Sequence, residues 1–405
     1  MHAPMHLFCQ KGYRKGWKEQ KMEAVVKEFA TVTAIEGAKG LNPSFEEVRK
    51  HVDWPRWEAA IQVELKNLMD NGTWIMVKRP AGTNVVSSRW VLCVKKNAAG
   101  EVEKYRACLV AKGFTQIYSM DFYEIYAPVA RLASFLLLLA VAACNDWPVD
   151  TFDFDSAYLN SILNDDDEII YLEQPPYYET MDHRCYVWKL NKTLYGLKQG
   201  AKNWYNALCK ALADMGFQRT EVDHGVFYKR IGFDITVHAV HVDDCMISGS
   251  SVKLIGEFKF WMNKTYKLSD LGPIHWLLGI KVTQDLPNHT ISLSQYAYIN
   301  SILLCFNFTD LKPSSIPMDP SAPLSKSQSP TKLADITRMK NIPYCRAVGS
   351  LMYAEMGTRP NIAFAVSTVA QFSDNPRWVH WEAIQRIFRY LRGMQNFELV
   401  YGGER

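Results

Sequence analysis

The feature that most constrains this chain is the acidic pair Asp243-Asp244 within the run ITVHAVHVDDCMISGS. Before the pair, residues 235–242 alternate with a period of two and are rich in β-branched types, which predicts a strand. After it, Met246, Ile247 and small polar residues predict a returning strand, with the two carboxylates at the hairpin tip. Adjacent like charges are costly unless a cation lies between them, so the tip is a candidate metal site. An exposed acidic turn without a ligand is the alternative, because Asp is common in turns.

A second acidic run, WPVDTFDFDSAYLNSIL, precedes the hairpin in the sequence. Residues 149–154 suit a short strand, and Asp155 or Ser156 suits the N-cap of a following helix. Asp153 falls at the end of this strand between aromatic residues, where a turn can direct its carboxylate into a cleft. A strand-end Asp and a hairpin-tip pair supply the oxygen ligands that Mg²⁺ prefers. Two such ions, roughly 3.5–4 Å apart, activate an attacking hydroxyl and stabilise a leaving oxygen.

Nine motifs in order extend this pattern over most of the chain. They are RACLVAKGFTQ (106–116), DFYEIYAPVAR (121–131), FDFDSAYLN (152–160), YLEQPPYYE (171–179), LNKTLYGLKQGAKNWY (190–205), HVDD (241–244), SDLGPIHWLLGIKV (269–282), ISLSQYAYI (291–299) and YCRAVGSLMYAEMGTRPNIA (344–363). Together, from about Trp57 to Tyr401, they resemble the reverse transcriptase of copia-type LTR retrotransposons. The resemblance implies an α+β fold of the right-hand polymerase type, with fingers, thumb and a palm whose antiparallel sheet packs on helices.

The resemblance implies an RNA-directed DNA polymerase that joins a dNTP to a primer 3′-hydroxyl with two Mg²⁺ ions, or Mn²⁺. It assigns Asp153, Asp243 and Asp244 as the catalytic metal ligands. Gln199 of the LYGLKQ motif is expected to lie against the incoming nucleotide. Tyr158 is expected to close on the sugar and reject a 2′-hydroxyl, although the family more often has Phe there. From the residues alone, Tyr158 is instead a core aromatic on a helix face.

Further residues are expected to bind the triphosphate. Ser156 and Ala157 would offer backbone N–H groups at a helix start, which is a favourable anion site. Arg106 and Lys112 are the candidate cations of the fingers, with Lys95 and Lys96 nearby. The sequence leaves open which of these basic side chains reaches phosphate. The expected partners are therefore an RNA or DNA template with its primer and a dNTP, with no membrane.

Four positions depart from the family pattern. These are His241 in place of Tyr, Cys108 and Leu136 each in place of Arg, and Asn361 in place of Asp. A thiol cannot replace a bidentate guanidinium, so the loss at Cys108 bears directly on triphosphate binding. The alternative function is thus a catalytically decayed remnant that keeps the fold and binds nucleic acid. A metal-dependent nuclease also needs clustered carboxylates, but it does not account for Gln199 or Tyr158.

Composition adds few constraints on function. The net charge of +4 does not identify a nucleic-acid partner. A basic stretch near the end, on a predicted helix, either contacts phosphates or is a solvated face; it comprises Arg377, Arg386, Arg389 and Arg392. The nine Cys show no zinc spacing and indicate a reducing compartment. The longest apolar run, FLLLLAVAAC, is shorter than the roughly 20 residues of a membrane span and predicts a buried helix. The expected location is a retrotransposon particle in the cytoplasm, or the nucleus.

The predicted organisation has five parts. They are a weakly ordered extension at 1–43, a fingers-and-palm core at 44–250, a thumb-like region at 251–311, a Pro- and Ser-rich linker at 312–343 and a helical connection region at 344–405. Within the core, residues 89–110 predict a fingers hairpin with its turn at 97–100. The chain is expected to end before the ribonuclease H domain that follows in such polyproteins.

Overall fold

The computed structural model describes residues 43–96, 102–163, 169–242, 244–330 and 332–403. Nearly all of the extension predicted at 1–43 therefore lies outside the described residues. So do the predicted hairpin turn at 97–100 and one of the three candidate catalytic residues, Asp243.

The fingers part combines two helices with a long hairpin. In chain order its elements are α1 (Phe45–Arg49), α2 (Trp54–Asp70), β1 (Trp74–Lys78), β2 (Val85–Val86), β3 (Ser88–Lys96) and β4 (Val102–Ala111). Helix α1 begins at a capping box in which Glu47 N–H donates to Ser44 Oγ and Ser44 N–H donates to the Glu47 carboxylate. Helix α2 packs against β4 through a buried stripe at helical spacing, formed by Trp57, Ile61 and Leu68. Strands β3 and β4 pair antiparallel, as the sequence predicted.

The palm part is built on a six-stranded sheet. In chain order its elements are α3 (Leu132–Asn145), β5 (Val149–Phe154), β6 (Tyr171–Leu172), β7 (Tyr186–Leu190), α4 (Gly200–Asp214), β8 (Gln218–Arg219), β9 (Val226–Ile231), β10 (Asp234–His241), β11 (Asp244–Gly249), α5 (Val252–Thr265) and β12 (Leu268–Pro273). The sheet order is β12-β5-β11-β10-β9-β8, and every pair in it is antiparallel. Strands β6 and β7 instead join β1 and β2 in a small separate sheet.

Helices pack on the six-stranded sheet, and the predicted α+β class is confirmed. On one face, buried aromatic and aliphatic side chains of β5 and β11 meet α4 and α5 in a single core, exemplified by Phe152, Trp204 and Phe258. On the other face α3 packs through Phe135 and Leu139. No helix in the described ranges is long and apolar enough to cross a membrane.

The C-terminal part has its own core. Its elements are β13 (Trp276–Leu277), β14 (Ile280–Asp285), β15 (Thr290–Ser294), α6 (Tyr296–Cys305), α7 (Leu333–Lys340), α8 (Tyr344–Gly357), α9 (Ala363–Ala370), α10 (Trp378–Gly393) and β16 (Leu399–Gly402). The four strands form one antiparallel sheet, and the five helices share a second hydrophobic core. Part of the predicted linker at 312–343 is therefore the helix α7. The domain boundaries themselves stay predictions.

The helix expected after Asp153 is absent, and this expectation was wrong. Residues Ala157–Asn160 form a single 3₁₀ turn instead. Ser156 adopts the left-handed conformation, with a φ of 53°, and so does not continue into a right-handed helix. The Ser161 hydroxyl donates to the carbonyl of Tyr158 at 2.9 Å and satisfies one of the groups at the end of the turn.

Candidate active site

The strand β5 and the hairpin β10–β11 bring two of the predicted carboxylates together. Cys245 pairs with Phe152 in the antiparallel ladder between β11 and β5. Extending this register by one residue places Asp244 opposite Asp153. Because side chains alternate along a strand, Asp153 points away from the core that buries Phe152 and Phe154. Both Asp153 and Asp244 are exposed on one face of the sheet.

The backbone turn at the hairpin tip is unusual. Val242 has a φ of 60°, which is rare for a β-branched residue because its Cβ crowds the backbone there. The indole N–H of Trp204 donates to the Val242 carbonyl at 3.3 Å and supports the turn from the core side. On the other side, His241 Nδ1 lies 3.3 Å from the carbonyl oxygen of Ala130. The tip is thus held by contacts to two other segments.

Electrostatics at the two carboxylates favours a bound cation. Although part of the Asp153 side chain is exposed, surrounding atoms partly desolvate its carboxyl group and raise its pKa, and the negative charges of Asp244 and Asp155 raise that pKa further. Burial also raises the pKa of Asp244, while the charge of His241 lowers it. A shared divalent cation would relieve this repulsion, as would a proton.

The described donor set fits a hard divalent cation only in part. Asp153 and Asp244 supply oxygen ligands of the kind that Mg²⁺ prefers. Within the described ranges, no group of three or more His, Cys, Asp or Glu side chains is placed to bind a metal ion. The third predicted ligand, Asp243, lies outside those ranges. The assignment of all three as metal ligands stays a prediction.

The fingers hairpin contributes one cation near the carboxylates. Arg106 and Cys108 are two residues apart on β4 and so share a face. Arg106 is exposed, and its positive charge lowers the pKa of Asp153, which places the guanidinium within electrostatic reach of the site. Lys112, half-buried, follows at the end of β4. The side chains of Lys95 and Lys96 are outside the described part of the molecule.

Cys108 faces a carboxylate rather than open solvent. Burial raises the pKa of its thiol, and Glu64 on α2 raises it further by charge and by a hydrogen bond. The same Glu64 carboxylate accepts a hydrogen bond from Leu109 N–H at 3.2 Å, and burial raises its pKa. An arginine at position 108 would therefore meet Glu64 directly.

Tyr158 lies beside Tyr195 and the start of α4. Its ring packs edge-on against Tyr195, with 4.6 Å between ring centroids. A Cβ atom on Gly200 would lie 3.4 Å from the Tyr158 ring, so the first residue of α4 is in contact distance of it. The ring is half-buried. Both predicted roles, sugar contact and core aromatic, are compatible with this partial exposure.

Gln199 lies below the surface of the cleft. Its side chain is 0% exposed. Gln116 Nε2 donates to Gln199 Oε1 at 3.0 Å, and Gln199 Nε2 donates to the carbonyl of Asp121 at 2.8 Å. Sequence reasoning missed Gln116, although it lies in the matching motif RACLVAKGFTQ. The role of Gln199 against a nucleotide is untested and stays a prediction.

The expected anion site at Ser156 and Ala157 lacks the helix on which it depended. Ala157 is buried in the palm core, and Ser156 Oγ accepts a hydrogen bond from Asn67 Nδ2 at 3.2 Å. A further carboxylate that the sequence assigned only to capping, Asp155, lies near Asp153 and raises its pKa. Its Oδ1 accepts a hydrogen bond from Ser269 Oγ at 2.7 Å. The signal available for it was its position two residues after Asp153, on the same side of an extended chain.

The basic stretch on α10 is occupied by the chain itself. Arg386 Nη2 lies 2.8 Å from an Asp319 carboxylate oxygen, and Arg389 Nε donates to the carbonyl of Lys312 at 2.7 Å. Arg392 donates to the carbonyl of Leu311. These three arginines therefore bond to Leu311, the last residue of the predicted thumb-like region, and to Lys312 and Asp319 of the predicted linker. The three side chains are half-buried, and whether this face also contacts phosphates stays a prediction.

Comparison with known proteins identifies the family. The chain belongs to the reverse transcriptase family, because residues 71–320 match the family model described as reverse transcriptase (RNA-dependent DNA polymerase). The Retrovirus-related Pol polyprotein from transposon TNT 1-94 of Nicotiana tabacum is 37% identical over 89% of this chain. The corresponding polyprotein from transposon RE1 of Arabidopsis thaliana is 36% identical over 84% of the chain. The predicted resemblance to copia-type elements is confirmed.

The match covers only part of those relatives. The chain spans 27% of the tobacco polyprotein and 22% of the Arabidopsis one. A putative transposon Ty5-1 protein of Saccharomyces cerevisiae is 34% identical over 62% of this chain and 78% of its own length. Among solved structures, a foamy viral protease-reverse transcriptase in complex with double-stranded DNA superposes with a TM-score of 0.39 at 11% identity. That alignment covers 89% of this chain and 51% of the viral chain.

Proposed function

We propose that this chain is an RNA-directed DNA polymerase, which extends a primer 3′-hydroxyl with dNTPs on an RNA or DNA template. The observation that carries the proposal is the register that sets Asp153 opposite Asp244 at the tip of the β10–β11 hairpin. Family membership supports the reaction class. The facing carboxylates supply the acidic site that nucleotidyl transfer needs.

Asp153 and Asp244, with Asp243, would hold two Mg²⁺ ions, or Mn²⁺. When bound, such ions lower the pKa of the attacking hydroxyl and neutralise charge on the phosphates. Arg106 is the side chain best placed to attract the triphosphate, because its charge already acts on Asp153. The protein contributes mainly positioning and electrostatic stabilisation, as is general for phosphoryl transfer.

Primer extension on poly(rA)/oligo(dT) with Mg²⁺ tests the proposal. The wild-type chain should incorporate dTTP, and EDTA should abolish incorporation. Asp153→Asn should lose extension and still bind primer–template. The matched control is Asp234→Asn, an exposed carboxylate at the far end of β10, which should extend like wild type. Extension that survives Asp153→Asn would contradict the assignment of the site.

A second candidate function is a decayed remnant that binds primer–template without extending it. Two observations favour it. The Cys108 thiol stands where the family pattern has a guanidinium. Buried Arg359 has Asn361, which stands in place of the family's Asp, as its only side-chain hydrogen-bond partner among the described residues. This function predicts normal primer–template binding by the wild-type chain with no incorporation at any dNTP concentration. The extension assay, run beside a binding measurement, separates the two.

A further inference from the structure

The strongest unexplained feature is a buried polar connection between fingers and palm. Gln116 follows the fingers hairpin, and Gln199 directly precedes α4 of the palm. Their side chains are 5% and 0% exposed. Buried amides are costly unless hydrogen-bonded, so such a pair persists only where its groups are satisfied.

The two amides are satisfied by each other and by backbone groups on both sides. Gln116 Nε2 donates to Gln199 Oε1 at 3.0 Å, while Gln116 Oε1 accepts from Lys198 N–H at 2.7 Å. Gln199 Nε2 donates to the carbonyl of Asp121 at 2.8 Å. The Asp121 carboxylate in turn accepts from Ile117 N–H at 2.7 Å. Besides each other, the two glutamine side chains thus satisfy two backbone groups, the N–H of Lys198 and the carbonyl of Asp121.

The backbones at this connection approach as closely as glycine permits. Ala111 N–H donates to the carbonyl of Tyr195 at 2.8 Å. A Cβ atom on Gly113 would lie 2.2 Å from the carbonyl oxygen of Gly196, a clash that no side chain avoids. Gly196 itself has a φ of 91°, in the region that favours glycine. The relative position of the two segments is therefore narrowly defined.

The segment next to Gln116, residues 113–126, carries several exposed aromatic side chains. Between residues 114 and 126, four aromatic side chains are exposed, which are Phe114, Tyr118, Tyr123 and Tyr126. The same stretch of chain then reaches the acidic hairpin, where Ala130 N–H donates to the carbonyl of Val240 at 2.8 Å. On the palm side, Gly200 follows Gln199, and a Cβ atom placed on it would lie 3.4 Å from the Tyr158 ring. The glutamine pair thus adjoins two features of the candidate active site.

We propose that Gln116 and Gln199 act as positioning residues: their mutual hydrogen bond fixes residues 113–126 against the start of α4 and thereby sets Tyr158 relative to the carboxylates. Gln199 then acts on the site at least through its bonds to Gln116 and Asp121. The effect on nucleotide use rests on the proposed polymerase function. The effect on the segment does not, and the two are measured separately.

The first measurement needs no activity. Chymotrypsin cleaves after exposed aromatic residues, so cleavage between 114 and 126 reports local opening of the segment. Gln116→Met and Gln199→Met each leave a buried partner unsatisfied and should each accelerate this cleavage about five- to 150-fold. In the double variant, the acceleration of cleavage should be smaller than the product of the two single accelerations. Removing both partners of one hydrogen bond is less costly than leaving each partner unsatisfied in turn.

Two controls separate local opening from general destabilisation. Gln295→Met removes another buried glutamine, which bonds Thr358 and Tyr353 in the C-terminal part, and should leave cleavage at 114–126 unchanged. Cleavage after Phe233, which is 99% exposed in the β9–β10 turn, should be the same in all variants. Unchanged cleavage at 114–126 in both glutamine variants would overturn the proposal.

The second measurement uses primer extension. Both Gln116→Met and Gln199→Met should raise the KM for dNTP by similar factors and leave the Kd for primer–template unchanged. A rise in the KM for dNTP in Gln199→Met, with a wild-type KM in Gln116→Met, would show that the hydrogen bond between the two glutamines does not set nucleotide use and would refute the positioning role. If the wild-type chain does not extend primers, the proposed function fails, while the cleavage result still decides whether the glutamines fix the segment.

Discussion

Replacing Asn361 by aspartate should stabilise the C-terminal part, because it supplies a carboxylate to a buried guanidinium. Arg359 is 1% exposed. Its Nη1 donates to the carbonyl of Met394 at 2.9 Å and its Nε donates to Asn361 Oδ1 at 3.3 Å, but its buried Nη2 has no hydrogen-bond partner in the described part of the chain. Burial lowers the pKa of Arg359, which is the expected sign for a cation without a nearby anion.

The magnitude follows from the hydrogen bonds that change. A neutral hydrogen bond contributes about 0.5–1.5 kcal/mol and one to a charged group about 1.5–3 kcal/mol. Asn361 already supplies a neutral acceptor, so the carboxylate should gain about 1–2 kcal/mol net of its desolvation. Tyr390 OH, which now accepts from Asn361 Nδ2 at 2.7 Å, can rotate and donate to the second carboxylate oxygen. At ~2–4 °C per kcal/mol, Tm should rise by about 2–8 °C.

Thermal and urea unfolding of Asn361→Asp at pH 7, followed by circular dichroism, measure the gain. The exposed Asn396→Asp in the turn after α10 is the control for a change of net charge and should leave Tm unchanged. In an Arg359→Leu background, Asn361→Asp should destabilise, because the carboxylate is then buried without its partner. The gain should also vanish below about pH 4, where an aspartate is protonated. A rise in Tm that persists without Arg359 would refute the reasoning.

Three further predictions concern the candidate site and the linker. Asp244→Asn should raise Tm in EDTA at pH 7, because the pKa of Asp244 is raised in the folded protein and its charge therefore costs stability. The difference in Tm should disappear below about pH 4, where the wild-type carboxyl group is protonated too. An equal Tm difference at both pH values would contradict this. Arg106→Ala should raise the KM for dNTP about ten- to 150-fold, whereas Cys108→Arg should change this KM less, because the new guanidinium would pair with Glu64. The dNTP dependence of primer extension measures both. A larger change in KM for Cys108→Arg than for Arg106→Ala would place the triphosphate beside Cys108. Arg389→Met should lower the free energy of unfolding in urea by about 1.5–3 kcal/mol, since the charged donor to the Lys312 carbonyl is lost. It should leave the salt dependence of primer–template binding unchanged. A shallower salt dependence would show that α10 contacts phosphates.

The elements that sequence predicted well are those whose signal is local. Alternation over residues 235–242 and the apolar return strand predicted β10 and β11. Both signals lie in consecutive residues: residue types alternate along β10, and in β11 residues 245–249 are all buried. The facing of Asp153 and Asp244 is not local, and its prediction rested on the chemistry of paired carboxylates together with the family motifs.

The elements that sequence predicted poorly depend on contacts made far along the chain. The 3₁₀ turn after Asp153 replaces a helix although Ser156 is a suitable N-cap residue. The Tyr158 carbonyl instead accepts a hydrogen bond from the Thr193 hydroxyl, and the Ser156 hydroxyl accepts one from Asn67 Nδ2. Tertiary partners of this kind override a local helix signal, and no window of the sequence contains them.

Two sets of polar groups have partners in the fold that the sequence does not reveal. Gln199 was expected to face a nucleotide and the α10 arginines to face phosphate or water, since a polar side chain in an isolated sequence has no visible partner. In the fold, Gln199 meets Gln116, and the arginines meet the backbone of Leu311 and Lys312. Buried polar groups are almost always satisfied within the protein. A polar residue is therefore a stronger functional candidate when the fold leaves it exposed beside the reacting groups. Among the described residues, Arg106 is the only predicted basic side chain whose charge lowers the pKa of Asp153.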